Sequence, residues 1–192
     1  AVYGVATVGL LFYGLNCYVM LGLFFRRRLR VKAHHEQCPS ADSVMANADA
    51  LPIVTTQIAI FNELNVAERV IRAACRMRYP EGRHEIQVLD DSTDETQKIV
   101  QNVAAELCQQ GHDVKVLHRT DRTGYKAGAL QKGLEQSRGE VLAVFDADFI
   151  PNEDYLLNTV PHFKAEPTVG FVQTRWGHLN RRASLLTRAQ AV

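Results

Sequence analysis

Asp146 and Asp148 stand one residue apart at the end of an apolar run, "EVLAVFDADFI" (140–150). Two carboxylates at i and i+2 on a strand end can reach one divalent cation. Mg2+ or Mn2+ takes such hard oxygen ligands and completes its shell with phosphate oxygens and water. An ordinary acidic loop gives the same spacing, so the pair acquires chemical meaning only in company. Asp90-Asp91 closes a second apolar run, "EIQVL" (85–89). Either carboxylate can accept from a base imide or a ribose hydroxyl, as acids do at other nucleotide sites. Either can equally serve turn and cap chemistry before Ser92-Thr93. Asn62-Glu63 follows a third run and can also cap the next helix. Lys126, in "RTDRTGYKAGAL" (119–130), offers an ammonium to phosphates. Gly124 and Gly128 allow close backbone approach or tight helix packing.

The elements that must position these residues alternate from Leu51 onward. "IVTTQIAIF" (53–61), "EIQVL" (85–89), "VKVLH" (114–118), "VLAVF" (141–145) and "VGFVQT" (169–174) read as strands. Helical spacing of apolar residues marks 65–77 (Val66, Val70, Ile71, Ala74) and 94–110 (Ile99, Val103, Leu107). Ser92 and Glu95 fit a capping box at the start of the second helix, and Gly111 fits its end. Residues 126–137 form a third helix, and 153–160 a short one interrupted by Pro161. Such alternation predicts an α/β fold, a mainly parallel sheet with helices on both faces. Ligands in these sheets bind beyond the carboxyl ends of the strands. Glu63, Asp90, Asp91, Lys126, Asp146 and Asp148 all fall there, in four consecutive crossings.

No G-x-x-x-x-G-K-[ST] or G-x-G-x-x-G is present, which weighs against ordinary NTPase and dinucleotide sites. Asp-x-Asp also occurs in haloacid-type phosphatases, but their nucleophile follows the first strand of the domain. Here the pair follows the fourth, and Ile150 stands where Thr or Val is expected.

Residues 1–25 carry no charged side chain. That length meets the roughly 20 apolar residues a membrane-spanning helix needs. Positive charges follow the stretch, whereas in a signal peptide they precede the apolar core. "RRRLRVK" (26–32) carries five of them, which places the rest of the chain in the cytoplasm by the positive-inside rule. The net charge is +1, leaving −4 for residues 33–192. No basic face is implied there, and nucleic acid is not an expected partner. Residues 33–50 show no apolar periodicity and read as a linker, with His34 and His35 solvated. Cys17, Cys38, Cys75 and Cys108 have no C-x-x-C spacing and read as free thiols of a reducing compartment. The expected organisation is a transmembrane helix (1–25), a basic juxtamembrane segment and linker (26–50), and the ligand-binding part of one domain, expected to be truncated at its C-terminus (51–192).

"FNE", "LDDSTDET", "YKAGAL" and "FDADFIP", in this order and spacing, resemble the processive membrane-embedded inverting glycosyltransferases. These have the GT-A fold and include cellulose synthase. The chain is most similar to the cellulose-synthase-like group that makes mannan, glucomannan or β-glucan backbones, a likeness that "VQTRWGHLNRRASLLTRAQ" (172–190) extends. The resemblance implies a nucleotide-sugar donor, UDP-glucose or GDP-mannose, a polysaccharide acceptor and a lipid bilayer. It implies that Asp90 and Asp91 contact base and ribose, that Glu63 lies near the nucleoside, and that Lys126 meets the diphosphate. Asp146 and Asp148 would hold Mg2+ or Mn2+ on that diphosphate, with Phe149, Ile150 and Pro151 bracing the loop. The family's T-E-D general base and its Q-x-x-R-W motif do not occur, and its further membrane helices follow the catalytic domain. The base is therefore expected beyond Val192, and residues 1–192 are expected to bind donor without turning over. Two other readings share these features: a non-processive transferase acting on a lipid phosphate, and an inactive membrane partner with a transferase-like domain.

Overall fold

A computed structural model describes residues 2–36, 41–175, 177–180 and 182–190. The chain divides into two compact units, Ala1–Ala48 and Asp49–Val192. In the first, α1 (Val2–Glu36) is one long helix. Its segment Tyr3–Arg27 is long and apolar enough to cross a membrane, a property that N-terminal signal sequences share. A short helix, α2 (Ala41–Met45), follows. The expected irregular linker is thus partly helical. Residues 26–36 contain no Pro or Gly, and their Arg, Leu, Lys and Ala are good helix formers. Cys38 lies outside the described residues, as do the side chains of His34 and His35.

The second unit is built on four parallel strands: β1 (Val54–Ile60), β2 (His84–Asp90), β3 (Val114–His118) and β4 (Val141–Asp146). Their order is β3-β2-β1-β4, with Ile60 opposite Asp90 and Ala59 opposite Asp146. The helices are α3 (Ala67–Cys75), α4 (Thr96–Gln109), α5 (Tyr125–Leu134), α6 (Tyr155–Ala165) and a final short α7 (Leu185–Gln190).

Strand side chains alternate between faces. Val54, Ile58, Ile60, Ile86 and Val88 form one face, packed in a single core with Val70 and Ile71 of α3, Val100 and Val103 of α4, and Leu156 and Val160 of α6. On the other face the sheet is polar. Thr55 donates to the Glu85 carboxylate at 2.7 Å, and Gln57 donates to Gln87 at 3.0 Å. Glu85 is fully buried, yet Lys115 and the Arg138 N–H also reach it. Burial pushes the Glu85 carboxyl up, and these donors overcome that and hold it below its ordinary value. Helix α5 lies over this layer through small residues. A Cβ at Gly133 would stand 2.6 Å from Gln57 Nε2.

Three local expectations are corrected. Helix α4 starts at Thr96 with no side-chain cap, so the Ser92/Glu95 capping box does not form. Asp94 accepts from the Thr96 N–H instead, and Ser92 is turned toward the β1 loop. Helix α6 continues through Pro161 to Ala165. A helix-interior proline costs about 3 kcal/mol, which burial of Leu156, Leu157 and Val160 offsets. Residues 169–174 form no strand. Their β-rich composition describes fit to a half-buried pleated surface, and Phe171 is 79% exposed with no ladder beside it. Trp176 lies outside the described residues.

Candidate functional site

Four loops converge at the carboxyl edge of the sheet. Five of the six residues selected from the sequence line one cavity of about 380 Å3: Glu63, Asp91, Lys126, Asp146 and Asp148. Glu63 comes from the loop after β1, Asp91 from the loop after β2, and Lys126 from the first turn of α5. Asp146 ends β4. Ala147 is buried at 6% exposure, while its two neighbours are exposed. The strand alternation thus carries one residue past the sheet and sends both carboxylates to the cavity side. Phe149 packs against the core and its N–H donates to the Asp146 carbonyl at 3.1 Å, so the turn after the acids is fixed. Pro151 is buried and Ile150 half-buried. Lys126 forms an ion pair with Asp146 across this space.

Asp90 is the residue the structure does not bring to the cavity. Its position in β2 shares a face with Ile86 and Val88, and it is fully buried. One carboxylate oxygen accepts from the Ser92 N–H at 3.0 Å, and the other lies 3.0 Å from His118 Nδ1. Asp91, one residue on, points the other way. Both of its oxygens accept from Arg119, at 2.8 and 2.6 Å. The pairing raises the Arg119 pKa above its ordinary value, with burial opposing it.

Arg119 and Arg122 are site residues that the sequence reasoning missed. Arg119 also donates to the Tyr125 carbonyl at 3.0 Å, which ties the 119–125 loop to the β2 loop. Arg122 lines the cavity, with its guanidinium carbon 3.3 Å from the centre of the Phe61 ring. The available signal was position. Arg119 directly follows β3, the place where the other strands deliver their acids.

The loop reaches α5 through two left-handed residues, Gly124 (φ 75°) and Tyr125 (φ 49°). Gly128 then takes the loop directly against the helix. A Cβ there would stand 2.1 Å from the Thr123 carbonyl oxygen. Backbone cannot yield as a side-chain tip can. Gly128→Ala is therefore expected to destabilise the unit by about 1–3 kcal/mol, the overpacking range, although glycine to alanine in an open helix gains up to about 1 kcal/mol. A denaturation midpoint decides the sign.

The sequence family described as "Glycosyl transferase family 2" matches residues 56–185. "Probable glucomannan 4-beta-mannosyltransferase 7" of Oryza sativa subsp. japonica is 43% identical over 146 residues, covering 72% of this chain and 24% of that protein. "Glucomannan 4-beta-mannosyltransferase 9" of Arabidopsis thaliana is 41% identical over 156 residues, covering 79% and 29%. The chain thus spans about a quarter of the length of these relatives. Among solved structures, mannosyltransferase PcManGT from Pyrobaculum calidifontis, in complex with GDP-Man and Mn2+, superposes with a TM-score of 0.57 at 27% identity. The match covers 80% of this chain and 44% of that one. TarS 1–349 from S. aureus superposes at 0.52 with 18% identity, over 65% of this chain and 38% of that one, a likeness of fold.

Proposed function

The chain belongs to glycosyl transferase family 2, and on that premise we propose that it is the donor-binding part of a membrane-anchored inverting hexosyltransferase that extends a β-linked polysaccharide. The observation that carries the proposal is the meeting of Asp146, Asp148, Lys126, Asp91 and Glu63 in one cavity. GDP-mannose is the proposed donor. The named relatives are glucomannan 4-beta-mannosyltransferases, and PcManGT was solved with GDP-Man and Mn2+. Helix α1 is proposed to anchor the protein through Tyr3–Arg27, with residues 51–192 as the donor-binding domain on the cytoplasmic side.

The cavity fits a divalent cation. Asp146 and Asp148 supply hard oxygens, and Mg2+ or Mn2+ needs only one or two carboxylates when substrate phosphates complete the shell. Among the described residues no group of three or more His, Cys, Asp or Glu side chains is placed to hold a metal. A bound cation would offset the charge of the departing nucleoside diphosphate. Lys126, already drawn to Asp146, brings its ammonium to the same phosphate end. Glu63 and Asp91 stand on the nucleoside side, and Asp90 supports them from within the sheet.

In the reaction, an acceptor hydroxyl attacks the anomeric carbon. The new C–O bond forms as the bond to the diphosphate breaks, with inversion. The hydroxyl proton passes to a carboxylate acting as general base. That base is proposed to lie outside residues 51–192, as the resemblance implies, since the T-E-D motif that carries it in the similar transferases does not occur there.

Competition tests the donor. With the full chain in mild detergent, GDP-mannose is expected to displace a fluorescent GDP at concentrations at least tenfold lower than UDP-glucose. The reverse order would move the donor to glucose, and no displacement by either would remove the donor-site reading.

A further inference from the structure

Asn62 holds a left-handed backbone conformation, φ 54°, directly between Phe61 and Glu63 at the cavity. That region costs an ordinary L-residue about 1–2 kcal/mol, and Asn is among the few non-glycine residues that enter it readily. Such a conformer persists where its surroundings over-determine it, and it clusters at functional sites. Here four hydrogen bonds hold it, and all go to the neighbouring loop, the longest from Thr93 Oγ1 to Asn62 Oδ1 at 3.5 Å. The Asn62 N–H donates to Ser92 Oγ at 3.0 Å. The Thr93 N–H donates to Asn62 Oδ1 at 2.9 Å. Asn62 Nδ2 donates to Thr93 Oγ1 at 3.4 Å. Ser92 is itself only 2% exposed, and its N–H is held by buried Asp90. The sheet ladder stops at Asp91, whose N–H donates to the Ile60 carbonyl at 3.0 Å. Past that point, Asn62 takes over the work of pairing the two chain segments.

The three side-chain bonds between Asn62 and Thr93 are solvent-exposed, and a hydrogen bond of this kind contributes only about 0.5–1.5 kcal/mol net. Their reach is local: they join the residue before Glu63 to the residue two places after Asp91. We propose that Asn62 is a positioning residue that clamps the Glu63 loop to the Asp91 loop and thereby sets the cavity's affinity for a nucleoside diphosphate. The proposal rests on the donor-site reading above and assigns Asn62 no contact with the ligand. It also gives Asp90 an indirect part, since Asp90 orients Ser92, which receives the Asn62 N–H.

Two variants separate clamp from backbone. Asn62→Gly accepts φ 54° without strain but has no amide. Asn62→Asp keeps the Oδ1 acceptor and tolerates the same φ. Calorimetry of GDP with Mn2+ is read beside the melting midpoint, on the full chain in mild detergent at physiological salt. Asn62→Gly is expected to bind about tenfold more weakly with its midpoint nearly unchanged, and Asn62→Asp to bind within about threefold of wild type. Wild-type affinity in Asn62→Gly would overturn the clamp, as would equal weakening in both variants. If the wild-type chain did not bind GDP at all, or bound it equally after Asp148→Ala, the donor reading itself would fall and this one with it.

Discussion

Asp91→Ala is expected to destabilise the sheet-bearing unit by about 3 kcal/mol or more. Asp91 is 5% exposed and Arg119 15%, and two charge-assisted bonds join them. Removing one partner of a buried ion pair leaves the other charge uncompensated, which costs about 3–5 kcal/mol. Arg119 would keep only carbonyl acceptors, chiefly that of Tyr125. The loop that carries Arg122 and leads to Lys126 would lose its tie to β2. Asp91→Asn, which keeps an acceptor oxygen, is expected to lose less. The exposed Lys132–Glu135 pair, at 56% and 53%, sets the contrast. Surface pairs of that kind are worth about 0–1 kcal/mol. Urea denaturation of Asp91→Ala, Asp91→Asn and Glu135→Ala orders them. A loss below about 1 kcal/mol for Asp91→Ala would show that the pair does not hold the loop.

The fold class was legible because its signals are local. The β-branched runs at 53–61, 85–89, 114–118 and 141–145 each overlie an observed strand, and β3 matches residue for residue. The search rule for parallel sheets then led to Glu63, Asp91, Lys126, Asp146 and Asp148, which share a cavity. Asp90 was grouped with Asp91 although strand parity already separated them. Asp90 follows Ile86 and Val88 in steps of two and had to face the core. Arg119 and Arg122 escaped because periodicity describes one segment at a time, and their partners Asp91 and Phe61 lie on other loops. The strand expected at 169–174 failed for a related reason. Composition predicts what a segment suits, while a strand needs a neighbour to pair with. The Ser92/Glu95 box was a correct pattern outcompeted by tertiary contacts, since Ser92 Oγ accepts from Asn62.

The second large effect concerns the two carboxylates that opened the site. Asp146 and Asp148 are exposed, so replacing them leaves the core intact. Their loss should therefore appear in binding and not in folding. Calorimetric titration of GDP-mannose into the full chain, with and without Mn2+, tests this directly. In the wild type, Mn2+ is expected to tighten binding by about 100-fold, or about 2.7 kcal/mol. In Asp146→Ala/Asp148→Ala, binding should be weak and the same with or without Mn2+, at an unchanged melting midpoint. Metal-independent binding in the wild type, or an undiminished Mn2+ response in the double variant, would contradict the assignment of these carboxylates to the donor's metal.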